Sequence, residues 1–253
     1  MCDDEGRALM SGSGSPVQMR LLRTPQEIGA VDEVFELTWG SEGKMPVELL
    51  IAIAHSGGYV AAAYQHERMV GASVGLLARH LDRPALHSHV TAVVPALRHC
   101  GIGRIVKLHQ RTWAIARGLE WITWTFDPLV RRNAWFNIAL LGAEAQAYLP
   151  SFYGTMTDAI NAGDESDRLQ VAWDLSRDPP ATPRDGADAL RSGADEVTLI
   201  PTPADIVELR RTNPHAVASW RRDTRLALTT ALGAGRPIVG FTRDGNYVIG
   251  PLP

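Results

Sequence analysis

The chain is poor in cysteine, has no long apolar run and carries no surplus of charge of one sign. Of 253 residues two are cysteine, and Cys2 stands at the N-terminus. No disulfide framework and no thiolate metal cage is therefore expected, and the usage fits a cytoplasmic protein. No run of about 18 apolar residues occurs, so a membrane-spanning helix is not expected. Lys and Arg number 25 against 28 Asp and Glu, a formal net charge of −3. A general nucleic-acid binder needs clustered positive charge to neutralise phosphates, and this balance does not supply it. What the chain does have is an ordinary globular share of hydrophobic residues, 45%, with length for one large domain and an extension.

Residues 1–16 are acidic and then Gly/Ser-rich, without the basic and apolar regions of a secretory signal, and read as a disordered leader. Val17, Met19 and Leu21 alternate with polar residues and predict a strand. Thr24-Pro25 with Glu27 predicts a capped amphipathic helix to about Trp39. A helix over Pro46–His55 follows, then a hairpin of Tyr59–Gln65 and Met69–Ala78 around His66-Glu67-Arg68. Asp82-Arg83-Pro84 reads as a break before a Val- and Thr-rich strand, Leu86–Val94. Arg104–Arg117 predicts a helix with Ile105, Leu108, Thr112 and Ile115 on its apolar face, stopped by Gly118. Trp121–Phe126 predicts a strand, Arg132–Leu141 a helix, and Gln146–Tyr153 and Arg168–Leu175 two further strands. The fold class expected is α/β (α+β): a mixed, mostly antiparallel central sheet flanked by helices, with a small C-terminal α/β extension. The domain reading is a main body over 17–175, an Asp-, Pro- and Gly-rich linker over 176–194, and an extension over 195–253 that packs on the main body.

The most informative segment is Val93-Val94-Pro95-Ala96-Leu97-Arg98-His99-Cys100-Gly101-Ile102-Gly103-Arg104. A strand end is followed by RxxGxG opening a helix. Glycines are needed where backbone N–H groups approach an anion closely, and the new helix aims its positive dipole end at the same point. The alternative is a tight strand-to-helix turn without a ligand. No Gly-Lys-Ser/Thr follows and no third glycine stands at the dinucleotide spacing, which weakens P-loop and NAD readings.

At these residues the sequence resembles the GNAT superfamily of acyl-CoA-dependent N-acyltransferases. Their fourth strand ends in Val-x-Pro, and the loop after it reads Q/RxxGxG/A. The order of elements agrees over Val17–Tyr153. A narrower resemblance, to a GNAT branch with a long C-terminal extension, rests on Phe126-Asp127-Pro128-Leu129, Asn133-Ala134, Leu141-Gly142-Ala143, Phe152-Tyr153-Gly154 and the Asp158, Asn161, Gly163, Ser166-Asp167-Arg168 spacing. The resemblance implies that Arg98, His99, Cys100, Gly101, Ile102, Gly103 and Arg104 line the pyrophosphate site of acetyl-CoA or another acyl-CoA. It implies that Val93 and Val94 offer backbone groups to the pantetheine arm and that Asn133 touches the CoA. One departure stands out. Where many GNAT enzymes carry a Tyr that protonates the departing thiolate, this chain has Ile138, so the role falls to Tyr148, Tyr153 or water, or the reaction differs from ordinary acetyl transfer.

Acyl transfer to an amine needs a base and donors for the oxyanion. His87 and His89 are expected on one strand face with Thr91 and Val93, as candidate bases or as plain strand histidines. A bulge would put Ser88 in their place. His87 and His89 with His80 and Asp82 make a poor zinc set, and no metal is expected. Asp127 ends a strand where carboxylates often face a ligand, or it caps an Asp-Pro turn. Trp124, Asn137, Asp167 and Arg168 are candidate acceptor-binding residues, the last two alternatively a surface ion pair. Asn133 alternatively caps its helix. Cys100 reads as small packing material. Arg221, Arg222 and Arg225 read as a solvated face, with the CoA 3′-phosphate or a second copy in a homodimer as alternatives. The expectation is direct N-acyl transfer from acyl-CoA to the amine of a small metabolite or amino acid. The alternatives are a decarboxylase or hydrolase acting on an acyl thioester, and a non-catalytic acyl-CoA-binding module.

Overall fold

The computed structural model describes residues 16–40, 45–154, 164–187 and 197–251. The leader over 1–15, Asp158, Asn161 and Gly163, and the end of the proposed linker lie outside the described residues. The chain divides into two compact units, 1–122 and 123–253.

In the first unit, β1 (Gln18–Leu21) is followed by α1 (Pro25–Gly29), α2 (Val31–Trp39) and α3 (Val47–His55), then β2 (Tyr59–Gln65), β3 (Arg68–His80), β4 (Arg83–Val93) and α4 (Ile102–Ile115). The predicted helix to Trp39 is thus two helices meeting at Ala30. Its start is as expected: Thr24 Oγ1 accepts from the Glu27 amide at 3.2 Å, and the Glu27 carboxylate accepts from the Thr24 amide at 2.9 Å, a reciprocal cap.

The strands β1 to β4 form an antiparallel meander. Both of its long hairpins turn on two residues with left-handed backbone, His66-Glu67 (φ 49° and 57°) and Leu81-Asp82 (φ 48° and 58°). That is the two-residue turn whose twist matches the strands. The expected break at Asp82-Arg83-Pro84 is therefore a hairpin, and Pro84 lies inside β4.

One sheet face packs on α1–α3 through Leu22, Val34, Phe35, Leu50, Val60 and Val74. The other meets α4 through Ala63, Val70, Ile102 and Val106. The buried face of α4 is not the predicted one: Ile102, Val106, Lys107, Gln110, Trp113 and Ala114 are buried, and Ile115 is exposed. Burial of Lys107 and Gln110 inside this stripe is what misleads a purely apolar reading of the helix.

In the second unit, β5 (Trp121–Phe126) lies beside β7 (Arg168–Asp174), which pairs antiparallel with β6 (Glu144–Leu149). The strand predicted to reach Tyr153 ends at Leu149, since Pro150 cannot donate to the ladder and Ser151 turns with φ 44°. Between β5 and β6 runs α5 (Arg131–Ala134), continued by a π-helical turn over Trp135–Leu140. A three-stranded sheet β8-β10-β9 (Thr198–Pro201, Asn246–Ile249, Ile238–Phe241) and helices α6 (Ile206–Thr212) and α7 (Pro214–Gly233) complete the unit. Residues 184–187 are packed into it: the Arg184 amide donates to Ala139 at 2.9 Å, and that of Gly186 to Phe241 at 3.2 Å.

Candidate functional site

Val94 leaves β4 and Pro95–Leu97 forms a single 3-10 turn. His99 (φ 70°) and Gly101 (φ 76°) then adopt left-handed backbone. Such a conformation is routine for glycine and uncommon for histidine, so the loop is tightly specified. No side chain caps α4, and among the described residues no carbonyl accepts from the amides of Gly101, Ile102 and Gly103, the open donors of a helix start. The buried Arg104 Nε also has no hydrogen-bond partner among the described residues. Orphan amides, a positive helix end and a desolvated guanidinium nitrogen on one loop suit an anion, and a pyrophosphate fits that donor set. Val93 and Val94 lead directly into this loop. Cys100 lies within it, half-buried.

One turn along α4, Lys107 is buried against β4. Its Nζ donates to Ser88 Oγ at 2.8 Å and to Gln110 Oε1 at 3.4 Å. Gln110 Nε2 in turn donates to Ser73 Oγ at 3.3 Å, and Ser73 Oγ shares a hydrogen bond with Thr91 Oγ1 at 2.8 Å. Burial pushes the Lys107 ammonium down to about 7.

A bulge explains why Ser88 faces this helix. β3 pairs Val74 with Val90 but Gly75 with Ser88, so His89 is an extra residue and the alternation flips there. Ser88 consequently joins the face of Thr91. This overturns the shared face drawn for His87, His89 and Thr91. His87 falls on the opposite face, half-buried, its ring 6.2 Å from that of the exposed His89. Burial first, then the neighbouring His89 and Lys107, lower the His87 pKa, so its imidazole is neutral at pH 7.

In the second unit Asp127 is buried and fully engaged. It accepts from the Leu129 amide at 2.9 Å, from Arg221 at 2.7 and 3.0 Å, and from Arg210 at 2.5 Å. Burial alone would raise its pKa; Arg221, Arg210 and the Leu129 amide outweigh it and hold the carboxyl below its usual range. A carboxylate so held is a poor proton acceptor, and the bond it takes from the Leu129 amide closes the Asp127-Pro128 turn.

Asp167 is also buried, bound to Tyr148 Oη at 2.5 Å, the Ser151 amide at 2.9 Å and Arg225 at 2.6 and 2.9 Å. It forms no surface pair with Arg168. That guanidinium lies instead over the Tyr153 ring, 5.2 Å from its centroid, and burial lowers its pKa. The exposed Tyr153 shares a hydrogen bond with Thr125 Oγ1 at 3.2 Å. Trp124 Nε1 donates to Asn137 Oδ1 at 3.1 Å; both are buried, so they support each other and present little polar surface. Asn133 does not cap its helix, because Val130 occupies that position. Ile138 is buried in the π-helical turn.

Arg221 and Arg225 are not a solvated face either. Arg221 also reaches Asp164, and Arg225 reaches Glu165. Only Arg222 of the three is exposed, donating to Ser219 at 3.3 Å. The sequence reading missed Ser73, Lys107, Gln110, Asp164 and Arg210. Lys107 and Gln110 had a signal, since they fall at i+5 and i+8 from Ile102, inside the stripe that Val106 and Trp113 mark. Among the described residues no group of three or more His, Cys, Asp or Glu is arranged to hold a metal, and no helix is long and apolar enough to cross a membrane.

No family model and no curated protein matches the chain. Solved structures do. The ribosomal-protein-S18-alanine N-acetyltransferase from Escherichia coli is similar with a TM-score of 0.52 at 14% identity, over 66% of this chain and 98% of that one. The yncA protein from Salmonella typhimurium, solved with its cofactor acetyl-CoA, gives 0.52 at 16% identity over 66% and 99%. An N-acetyltransferase from Staphylococcus aureus Mu50 gives 0.51 at 11% identity over 64% and 99%. At these identities the likeness is one of fold: the chain has the mixed, mostly antiparallel fold of the GNAT acetyltransferases.

Proposed function

We propose that the protein is an acyl-CoA-dependent N-acyltransferase that moves an acyl group directly to the amine of a small metabolite or amino acid, in the cytoplasm. The observation that carries this reading is the uncapped start of α4 after β4, with Gly101 in left-handed backbone and Arg104 Nε buried without a partner among the described residues, in a chain of GNAT fold. The amides of Gly101–Gly103 with Arg98 and Arg104 would hold the pyrophosphate, and Val93 and Val94 the pantetheine arm. Acyl-CoA supplies the activated thioester. The amine arrives protonated and has to lose a proton before it attacks. His87, neutral at pH 7 and half-buried, is the group proposed to take it. Lys107 holds Ser88 Oγ in place on the bulge, and its lowered pKa lets it share in proton uptake near neutral pH.

Incubation with a panel of acyl-CoAs while following free thiol tests the reading. Thiol release that depends on an added amine supports transfer. Release without amine supports a hydrolase or decarboxylase, the second reading, which the buried Ile138 at the usual Tyr position favours. Binding without turnover supports a sensor, and no binding of any CoA overturns all three. Gly103→Asp, which puts a carboxylate into the anion loop, is expected to abolish CoA binding with the fold retained by circular dichroism.

A further inference from the structure

The loop Asp127–Val130 leaves β5 and opens the helix that carries Asn133 and Asn137, and the side chains that fix it come from the last quarter of the chain. Arg221 binds both carboxylate oxygens of Asp127, at 2.7 and 3.0 Å, and Arg210 takes one at 2.5 Å. Tyr247 Oη, fully buried, donates to the Pro128 carbonyl at 2.8 Å. Leu129 and Val130 pack on Ile206 of α6 and Val217 of α7. Arg131 donates to the Thr202 carbonyl at 2.5 Å. Residues 127 to 131 are thus each gripped in turn. Arg221 is itself anchored from a second side, by Asp164 at 2.5 and 3.3 Å.

Stability alone is a weak account of this arrangement. Buried ion pairs cost so much desolvation that apolar replacements of equal volume are often neutral or better. What a bidentate guanidinium and a directed tyrosine hydroxyl provide, and a greasy contact does not, is orientation. The gripped loop also enters a π-helical turn, Trp135–Leu140, a rare geometry that is frequent at functional sites.

We propose that the C-terminal segment 198–249 is a brace that sets the position of the Asp127–Asn137 segment for acyl transfer, with Arg221 and Tyr247 as positioning residues. This rests on the acyltransferase reading. It assigns the extension a part in turnover, through Asp127 and Pro128, rather than a binding task of its own.

Tyr247→Phe and Arg221→Lys in the full chain test it, with Arg211→Ala, an exposed change on α6, as control. Tyr247→Phe keeps the ring and its burial and removes only the hydroxyl. Amide hydrogen exchange, CoA affinity, kcat and KM are measured on each. Since a misplacement of about 1 Å can cost on the order of 100-fold in rate, Tyr247→Phe is expected to lower kcat at least about threefold and Arg221→Lys more. CoA affinity should stay within about twofold, and exchange should quicken in residues 127–137 but not in α4. Arg211→Ala should change none of these. Unchanged kcat in Tyr247→Phe overturns the proposal, whether or not Arg221→Lys folds, and so does unchanged exchange in residues 127–137. If the wild type turns over no acyl-CoA, the acyltransferase reading fails on its own. The exchange data then still decide the brace: quickening confined to 127–137 supports it as a positional device, and its absence ends it.

Discussion

Replacing Lys107 with Met leaves a chain of similar length in the same slot between α4 and β4 and removes a buried charge. The lysine is pushed from its ordinary value of 10.5 down to about 7 by burial. In the unfolded chain it binds a proton up to about pH 10.5; in the folded chain it releases that proton at about 7. Between those limits the unfolded state holds more protons, so folding stability rises with pH there. The slope is about 1.4 kcal/mol per pH unit and the total on the order of 5 kcal/mol, a penalty present in full below pH 7 and relieved above pH 10.5. Lys107→Met has no such penalty. It leaves Ser88 Oγ and Gln110 Oε1 without their donor, at a cost of about 1–3 kcal/mol. The variant is therefore expected to be the more stable protein at pH 7 by a few kcal/mol, and its advantage is expected to shrink as pH rises. Urea denaturation of both proteins at pH 6, 7, 8 and 9 measures the difference, in which contributions from all other titrating groups cancel. Parallel stability curves across that range would mean that Lys107 does not titrate near neutrality in the folded protein, and would overturn the expectation.

Thr24→Ala removes the side-chain half of the reciprocal cap at α1, and a loss of about 1 kcal/mol is expected in urea denaturation. Asp127→Asn at pH 7 leaves Arg210 and Arg221 with one carboxylate fewer in a buried site, and a loss of about 3 kcal/mol or more is expected. Because the folded pKa of Asp127 lies below its unfolded value, its contribution is present above pH 4 and lost as pH falls through the folded pKa. The gap between wild type and Asp127→Asn is thus expected to close in acid, and a gap that stays constant from pH 7 to pH 2.5 would contradict the assigned ion pair.

Local chemistry made much of the fold legible. Thr24-Pro25-x-Glu27 declares a helix start by its own capping geometry, and Gly118 and Gly142 stand at helix ends with φ of 70°. Period-two alternation marked β1, the His66-Glu67-Arg68 turn marked the hairpin of β2 and β3, and Val and Thr content marked β4. The errors are equally local in origin. Leu81-Asp82 makes a tight turn with no glycine in it, so Asp82-Arg83-Pro84 read as a break. The bulge at His89 adds one residue to one strand, and nothing in the pattern of β4 announces it, yet it reverses the face of every residue toward Leu86. The face chosen on α4 was wrong because a lysine and a glutamine sit in the buried stripe, where counting apolar residues gives them no weight.

The charged residues of the second unit failed for a different reason. Arg221 and Asp127 lie 94 positions apart, and Arg225 and Asp167 58 apart. Helical spacing shows only that Arg221 and Arg225 share a face, and a face of arginines with no acids in reach along the helix reads as solvated. The deciding quantity is the partner, supplied by the ends of β5 and the β6–β7 loop. Once Asp127, Asp164, Glu165 and Asp167 are placed opposite Arg210, Arg221 and Arg225, the three guanidiniums are largely neutralised where they stand. They are then no longer available to attract a phosphate, and the CoA 3′-phosphate contact drawn for this cluster loses its physical basis for Arg221 and Arg225. The anion site proposed for this protein then rests on the α4 loop, with the backbone amides at the helix start and Arg104. The arginines of α6 and α7 are left with a different task, which is to hold carboxylates that hold backbone.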